Sequence, residues 1–118
     1  MQEKRHIERI RCYYYLKVYD KETKSDVGSI VDISMKGMRL VGETHFPSDT
    51  TCRFLVKLPK GYILGDSFDI DATVRWCNKS EEQSTTYYEA GFEFVNAERK
   101  GVIFLRSLLN DFKSNDLL

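Results

Sequence analysis

The chain has 118 residues, of which 42% are hydrophobic and 13% aromatic. That is enough apolar material for one core of ordinary domain size, and it excludes a disordered body. Lys plus Arg is 18 and Asp plus Glu is 18, which argues against a non-specific nucleic-acid coat, because such binding rests on a basic excess that neutralises phosphate.

No apolar run approaches the ~20 residues of a membrane helix. The first residues are charged and lack the apolar centre of a signal peptide. The expectation is a cytoplasmic protein without membrane insertion. Cys12, Cys52 and Cys77 are odd in number and widely spaced, the pattern of reduced thiols.

Residues 1–11 alternate in charge, with Lys4, Arg5, Arg9 and Arg11 against Glu3 and Glu8. Taken alone, this is a solvated tail or a short helix with intrahelical pairs. From Cys12 to Tyr19 the period is two. Cys12, Tyr14, Leu16 and Val18 share one face, and Tyr13, Tyr15, Lys17 and Tyr19 the other. That predicts a strand. A charged turn comes next, then a second strand over Val27–Ile33 and a third over Gly37–Val41. Residues 42–50 read as a loop.

The fourth strand is expected over Thr51–Leu58, with Cys52, Phe54, Val56 and Leu58 inward. Pro59 to Asp66 holds two glycines and a proline and reads as a loop. Phe68 to Trp76 alternates most cleanly, with Phe68, Ile70, Ala72, Val74 and Trp76 inward. Asn78 to Thr85 is polar and reads as a loop. Thr86–Val95 is the sixth strand. The period then changes to that of a helix, predicted over Ala97–Lys113, with Asn96 as N-cap and Glu98 in the first turn. Val102, Leu105, Leu109 and Phe112 form its apolar stripe, widened by Phe104 and Leu108.

Six short strands are few for a two-sheet sandwich. Closure into a small six-stranded antiparallel barrel removes the exposed edges, and the helix would cover a mouth or side. The expected fold is therefore all-β with a C-terminal helix, in one domain over residues 1–118: an N-terminal segment 1–11, a barrel 12–95 and a helix 97–113.

Two polar devices stand out. Arg5 and Arg9 are four apart, so they share a face in a helix or reach one ligand from an extended arm. Guanidinium groups fork onto phosphate and read the O6 and N7 of guanine. Asp32, Ser34 and Gly37 lie at the junction of two strands. A carboxylate accepts from the N1–H and amine of guanine. In an extended chain Ser34 points the same way as Asp32. Gly37 lets the backbone turn at positive φ or approach a ligand. The bland reading of this trio is a turn whose amides the side chains satisfy. Trp76 ends its strand near a rim, where it either stacks on a base or, as its phase implies, faces the core.

Arg-x-x-x-Arg in the first segment, a strand, then Asp-x-Ser-x-x-Gly at a strand junction resembles the PilZ domain family. Val74-Arg75-Trp76 and Gly91-Phe92-Glu93-Phe94 also resemble that family's later strands, and the resemblance covers nearly the whole chain. It implies a bacterial, non-catalytic receptor for the second messenger cyclic di-GMP, without a further cofactor. It further implies that Arg5 and Arg9 grip phosphates and guanines, while Asp32, Ser34 and Gly37 read a guanine edge and let the ligand lie on the barrel. Lys4, before the first arginine, stands where the family sets one or two stacked ligands per site. Lys36 replaces a glycine common there.

Catalysis has little support. Ser34, Asp32, His45 and His6 lack a fixed nucleophile–base pair and a strand–turn–helix elbow. Two histidines and three scattered cysteines give no metal-ligand spacing. Three functional readings remain open. The first is a cyclic di-GMP adaptor whose N-terminal segment rearranges on binding and signals to a protein effector. The second is a ligand-independent interaction scaffold that uses the helix or the tyrosines Tyr13, Tyr15, Tyr19 and Tyr87. The third is a nucleic-acid-binding barrel, which zero net charge disfavours.

Overall fold

A computed structural model describes residues 10–95 and 99–115, with side chains described for 16–95 and 101–111. Six antiparallel strands, β1 (Ile10–Asp20), β2 (Asp26–Ile33), β3 (Gly37–Gly42), β4 (Thr51–Lys57), β5 (Ser67–Glu82) and β6 (Thr85–Val95), precede one helix, α1 (Arg99–Asn115). The strands close into a barrel in the order β1-β2-β3-β6-β5-β4. Closure is made by β1 on β4, with Val18 opposite Val56 and Asp20 opposite Phe54. The barrel and its C-terminal helix are as the alternation and the later change of period predict.

Inward positions follow the period of two. Leu16 and Val18, Phe54 and Val56, and Phe68, Ile70, Ala72 and Val74 are buried. Phe46 dips from the β3–β4 loop into the barrel and meets Phe54 and Phe92 edge to face, at ring separations of 6.0 and 5.0 Å. Such offset aromatic contacts add to the stabilisation from area alone. On α1, Phe104, Leu105 and Leu108 are buried, and Phe104 stacks on Phe68 at 5.1 Å. The Tyr62 and Ser107 hydroxyls are hydrogen-bonded at 2.6 Å, tying the β4–β5 loop to the helix. Asn96 and Glu98, the expected N-cap and first-turn acid, lie outside the described residues.

Two features depart from the sequence expectation. Residues 78–82, expected in a loop, belong to β5, and the turn shrinks to Gln83 and Ser84. Both turn residues have positive φ, 52° and 70°, the requirement of a two-residue hairpin. The second departure is Trp76. The β5–β6 register pairs Val74 with Phe92 but Trp76 with Gly91, so Arg75 is an extra residue. A bulge reverses the facing of the residues beyond it. Trp76 is therefore not in the core but 38% exposed on the outer face, while Cys77 packs against the core.

Candidate functional site

Four strands bring one row of outer-face positions into line. Asp32 on β2 pairs with Arg39 on β3, Arg39 with Gly91 on β6, and Gly91 with Trp76 on β5. Bulges help set this row. The β2–β3 register shifts between Ile30 and Asp32, so both Ile30 and Ile33 face the core while Asp32 keeps to the outside.

Arg39 Nε donates to Asp32 Oδ2 at 2.8 Å, and its Nη1 bonds Glu89. Burial pulls the Arg39 pKa down, but the hydrogen bonds and charges of Asp32 and Glu89 outweigh it, and the net shift is upward. Arg39 is thus a fixed cation between two carboxylates. On the other side of Gly91, the bulged Arg75 bonds Glu93 through Nε at 2.7 Å and Nη2 at 2.6 Å, with Asp49 3.6 Å from Nη1. Lys36, Gly37, Arg39, Arg75, Trp76 and Gly91 line an open cavity of about 350 Å³. It combines cationic groups, the Glu93 carboxylate paired to Arg75, and a part-exposed indole. Such a surface suits a ligand carrying both anionic oxygens and a flat ring.

Ser34 and Asp32 do not share a direction as expected. Asp32 sits on the outer face, with its side chain 16% exposed. Ser34 is 1% exposed beneath the β2–β3 turn. Its Oγ accepts from the amides of Lys36 at 3.1 Å and Gly37 at 3.3 Å, and its own amide donates to Gly37 O at 2.8 Å. Gly37 lines the cavity but has no positive φ. Its backbone lies so close to Phe92 on β6 that a side chain has no room. Lys4, Arg5 and Arg9 lie outside the described residues, as do the side chains of Cys12, Tyr13 and Tyr15.

Sequence reasoning missed Arg39, Arg75 and Gly91 as site residues. A glycine inside an alternating strand is a signal of a bulge or close approach, and Gly91 carried it. Among the described residues no group of three or more His, Cys, Asp or Glu is arranged to hold a metal ion. No helix among them is long and apolar enough to cross a membrane.

The family model for the PilZ domain matches residues 3–111. The chain belongs to the PilZ domain family. Its barrel superposes on the PilZ domain of YcgR from Escherichia coli, solved with c-di-GMP, with a TM-score of 0.73 at 17% identity, over 97% of this chain and 95% of that one. MrkH from K. pneumonia in its apo state gives a TM-score of 0.76 at 17% identity, over 98% of this chain and 53% of that one. MotI/DgrA from Bacillus subtilis gives 0.62 at 19%, over 92% and 53%. The chain therefore spans about half the length of the MrkH and MotI/DgrA chains. At such identities the likeness is one of fold. No protein of curated function matches the sequence. Asp32, Ser34 and Gly37 thus occupy three environments: an outer-face ion pair, a buried position beneath a turn and a backbone crossing.

Proposed function

We propose that this PilZ chain is a non-catalytic receptor for cyclic di-GMP, working as a single domain over residues 1–118 in the bacterial cytoplasm. The observation that carries the reading is the row Asp32–Arg39–Gly91–Trp76, with Arg75 and Lys36 beside it around one cavity. Cyclic di-GMP offers that surface two phosphates, two purine faces and two guanine edges. Arg39 and Arg75 present guanidinium groups to phosphate, Trp76 presents an indole to a base, and Asp32 accepts from a guanine edge. Ser34 and Gly37 serve by holding the turn that sets Asp32 and Lys36. Arg5 and Arg9 close over the ligand from the N-terminal segment. That segment changes conformation on binding and passes the signal to a protein effector. Lys4 decides between one and two stacked ligands.

A ligand-independent scaffold is the second reading, and one observation favours it. The Ser34 hydroxyl and the Gly37 backbone are fully engaged by the fold itself, so two motif positions have a structural reason to exist without any ligand.

Isothermal titration calorimetry with cyclic di-GMP, and GTP as control, separates the two. The receptor reading expects saturable binding of the cyclic dinucleotide alone, and a large loss of affinity in Arg5→Ala and Arg9→Ala with unchanged unfolding midpoints. A flat trace from folded protein sinks it in favour of the scaffold. Undiminished binding by Arg9→Ala moves the phosphate grip away from the N-terminal segment.

A further inference from the structure

Trp76 reaches the outer face because Arg75 bulges, but the bulge alone does not say how the indole lies. Gly91 does. A Cβ built on Gly91 would fall 2.2 Å from Trp76 Nε1, 2.4 Å from Cε2 and 2.9 Å from Cζ2. All three nearest atoms belong to the indole. The ring therefore rests on the β6 backbone in the space that any other residue's side chain would fill. Gly37 differs, because its nearest neighbours are backbone atoms of β6.

This seat has a consequence for recognition. A large side chain free on a surface must be immobilised when a ligand stacks on it, and that entropy subtracts from affinity. An indole already bedded on glycine keeps one side against the protein and offers the other to solvent. It does so in the same lateral row as Arg39 and Asp32. Building on the cyclic di-GMP reading, we infer that Gly91 is a positioning residue for ligand binding. It seats the Trp76 indole as a preformed platform for a purine, in register with the Arg39–Asp32 pair. Gly91 need not touch the ligand. Because the obstructing atoms are a partly exposed side chain, an alanine there displaces the indole and leaves the barrel paired.

Trp76 is the single tryptophan of the chain, so its emission reports the indole alone. The experiment titrates cyclic di-GMP by calorimetry into the parent, Gly91→Ala, Trp76→Ala and the double variant, and records the emission of the first two. The parent binds saturably. Trp76→Ala binds on the order of tenfold more weakly, the scale of one lost base–aromatic stack. Gly91→Ala shows a red-shifted emission and a loss of similar factor. The double variant is no weaker than Trp76→Ala, since the added methyl then has no indole to displace. Additive losses, or a Gly91→Ala protein that binds as tightly as the parent, overturn the inference and leave the receptor reading standing. A flat parent titration overturns both. Time-resolved anisotropy of the unliganded parent is independent of any variant's folding. A seated indole tumbles with the protein, and a dominant fast component lost only on ligand addition overturns the seat.

Discussion

Gly37 and Phe92 cross so closely that a Cβ on Gly37 would lie 2.0 Å from the Phe92 carbonyl oxygen. Both neighbours are in regular strand pairing, with Met38 opposite Phe92 and Gly37 opposite Glu93. A clash with backbone is relieved only by parting β3 from β6. Gly37→Ala is expected to destabilise the barrel by about 2 kcal/mol or more, in line with forced overpacking. Urea unfolding followed by far-UV circular dichroism measures it, and an unchanged midpoint would show that the crossing relaxes freely.

Ser34 makes a separate prediction possible, because a motif residue here has a countable structural task. Removing its hydroxyl leaves the part-buried amide of Lys36 and the buried amide of Gly37 without their acceptor. Ser34→Ala is expected to lower stability by about 1–3 kcal/mol, the usual penalty for orphaned buried donors. Amide hydrogen exchange at Lys36 and Gly37 gives the local readout: both amides should exchange faster in Ser34→Ala while those of β4 keep their protection.

The strands of the barrel were legible because one face is core and the other solvent, which writes a period of two into the sequence. That signal fades where both faces meet water. Asn78 to Glu82 is polar throughout for this reason, and the turn at Gln83–Ser84 uses positive φ without the Asn-Gly or Gly pairs that announce it. Bulges carry no periodic mark at all, so the extra residue at Arg75 put Trp76 on the wrong side of the barrel. Asp32 and Ser34 were set on one face for another reason: β2 ends at Ile33, so Ser34 already lies in the turn, where the period of two no longer holds. Asp32, Ser34 and Gly37 were singled out by type and spacing, but their three different environments were not. Arg39 was not, since an arginine at an outer strand position looks like any solvated cation until its carboxylate partners on β2 and β6 are placed beside it.

The β1–β2 turn supplies a pH-dependent prediction. Asp20 Oδ1 accepts from the amides of Glu22 and Thr23, both at 2.9 Å. These bonds, that from Thr23 foremost, hold the Asp20 pKa below its usual value against the opposing effect of burial. A carboxyl whose folded pKa is depressed stabilises the protein above its unfolded pKa, near 4, and that stabilisation is lost as pH falls through the folded value. Asp20→Ala is expected to lose about 1 kcal/mol at pH 7, the scale of exposed turn hydrogen bonds. The gap from the parent should narrow below about pH 4. Melting curves of both proteins from pH 7 to pH 3 test this. A gap that stays constant across the range would assign the loss to packing rather than to the charged acceptor.

Arg39 provides the last test, because its role in the fold and the role proposed for it in binding are read by separate measurements. It holds Asp32 on β2 and Glu89 on β6 at once, and its side chain is 33% exposed. Two partly screened pairs together contribute about 1 kcal/mol. Arg39→Gln should therefore lower the urea midpoint modestly in low salt, and by less in 1 M salt, where screening has already weakened the pairs. The effect on cyclic di-GMP is expected to be larger. On the receptor reading, the substitution removes a guanidinium proposed to meet phosphate and also releases the Asp32 carboxylate from its ion pair with Arg39. Affinity measured beside stability, at one salt concentration and well below the unfolding transition, separates the two roles. A variant that loses stability but binds as the parent does would reduce Arg39 to a clamp between strands, and the guanine edge would then have to be read without its help.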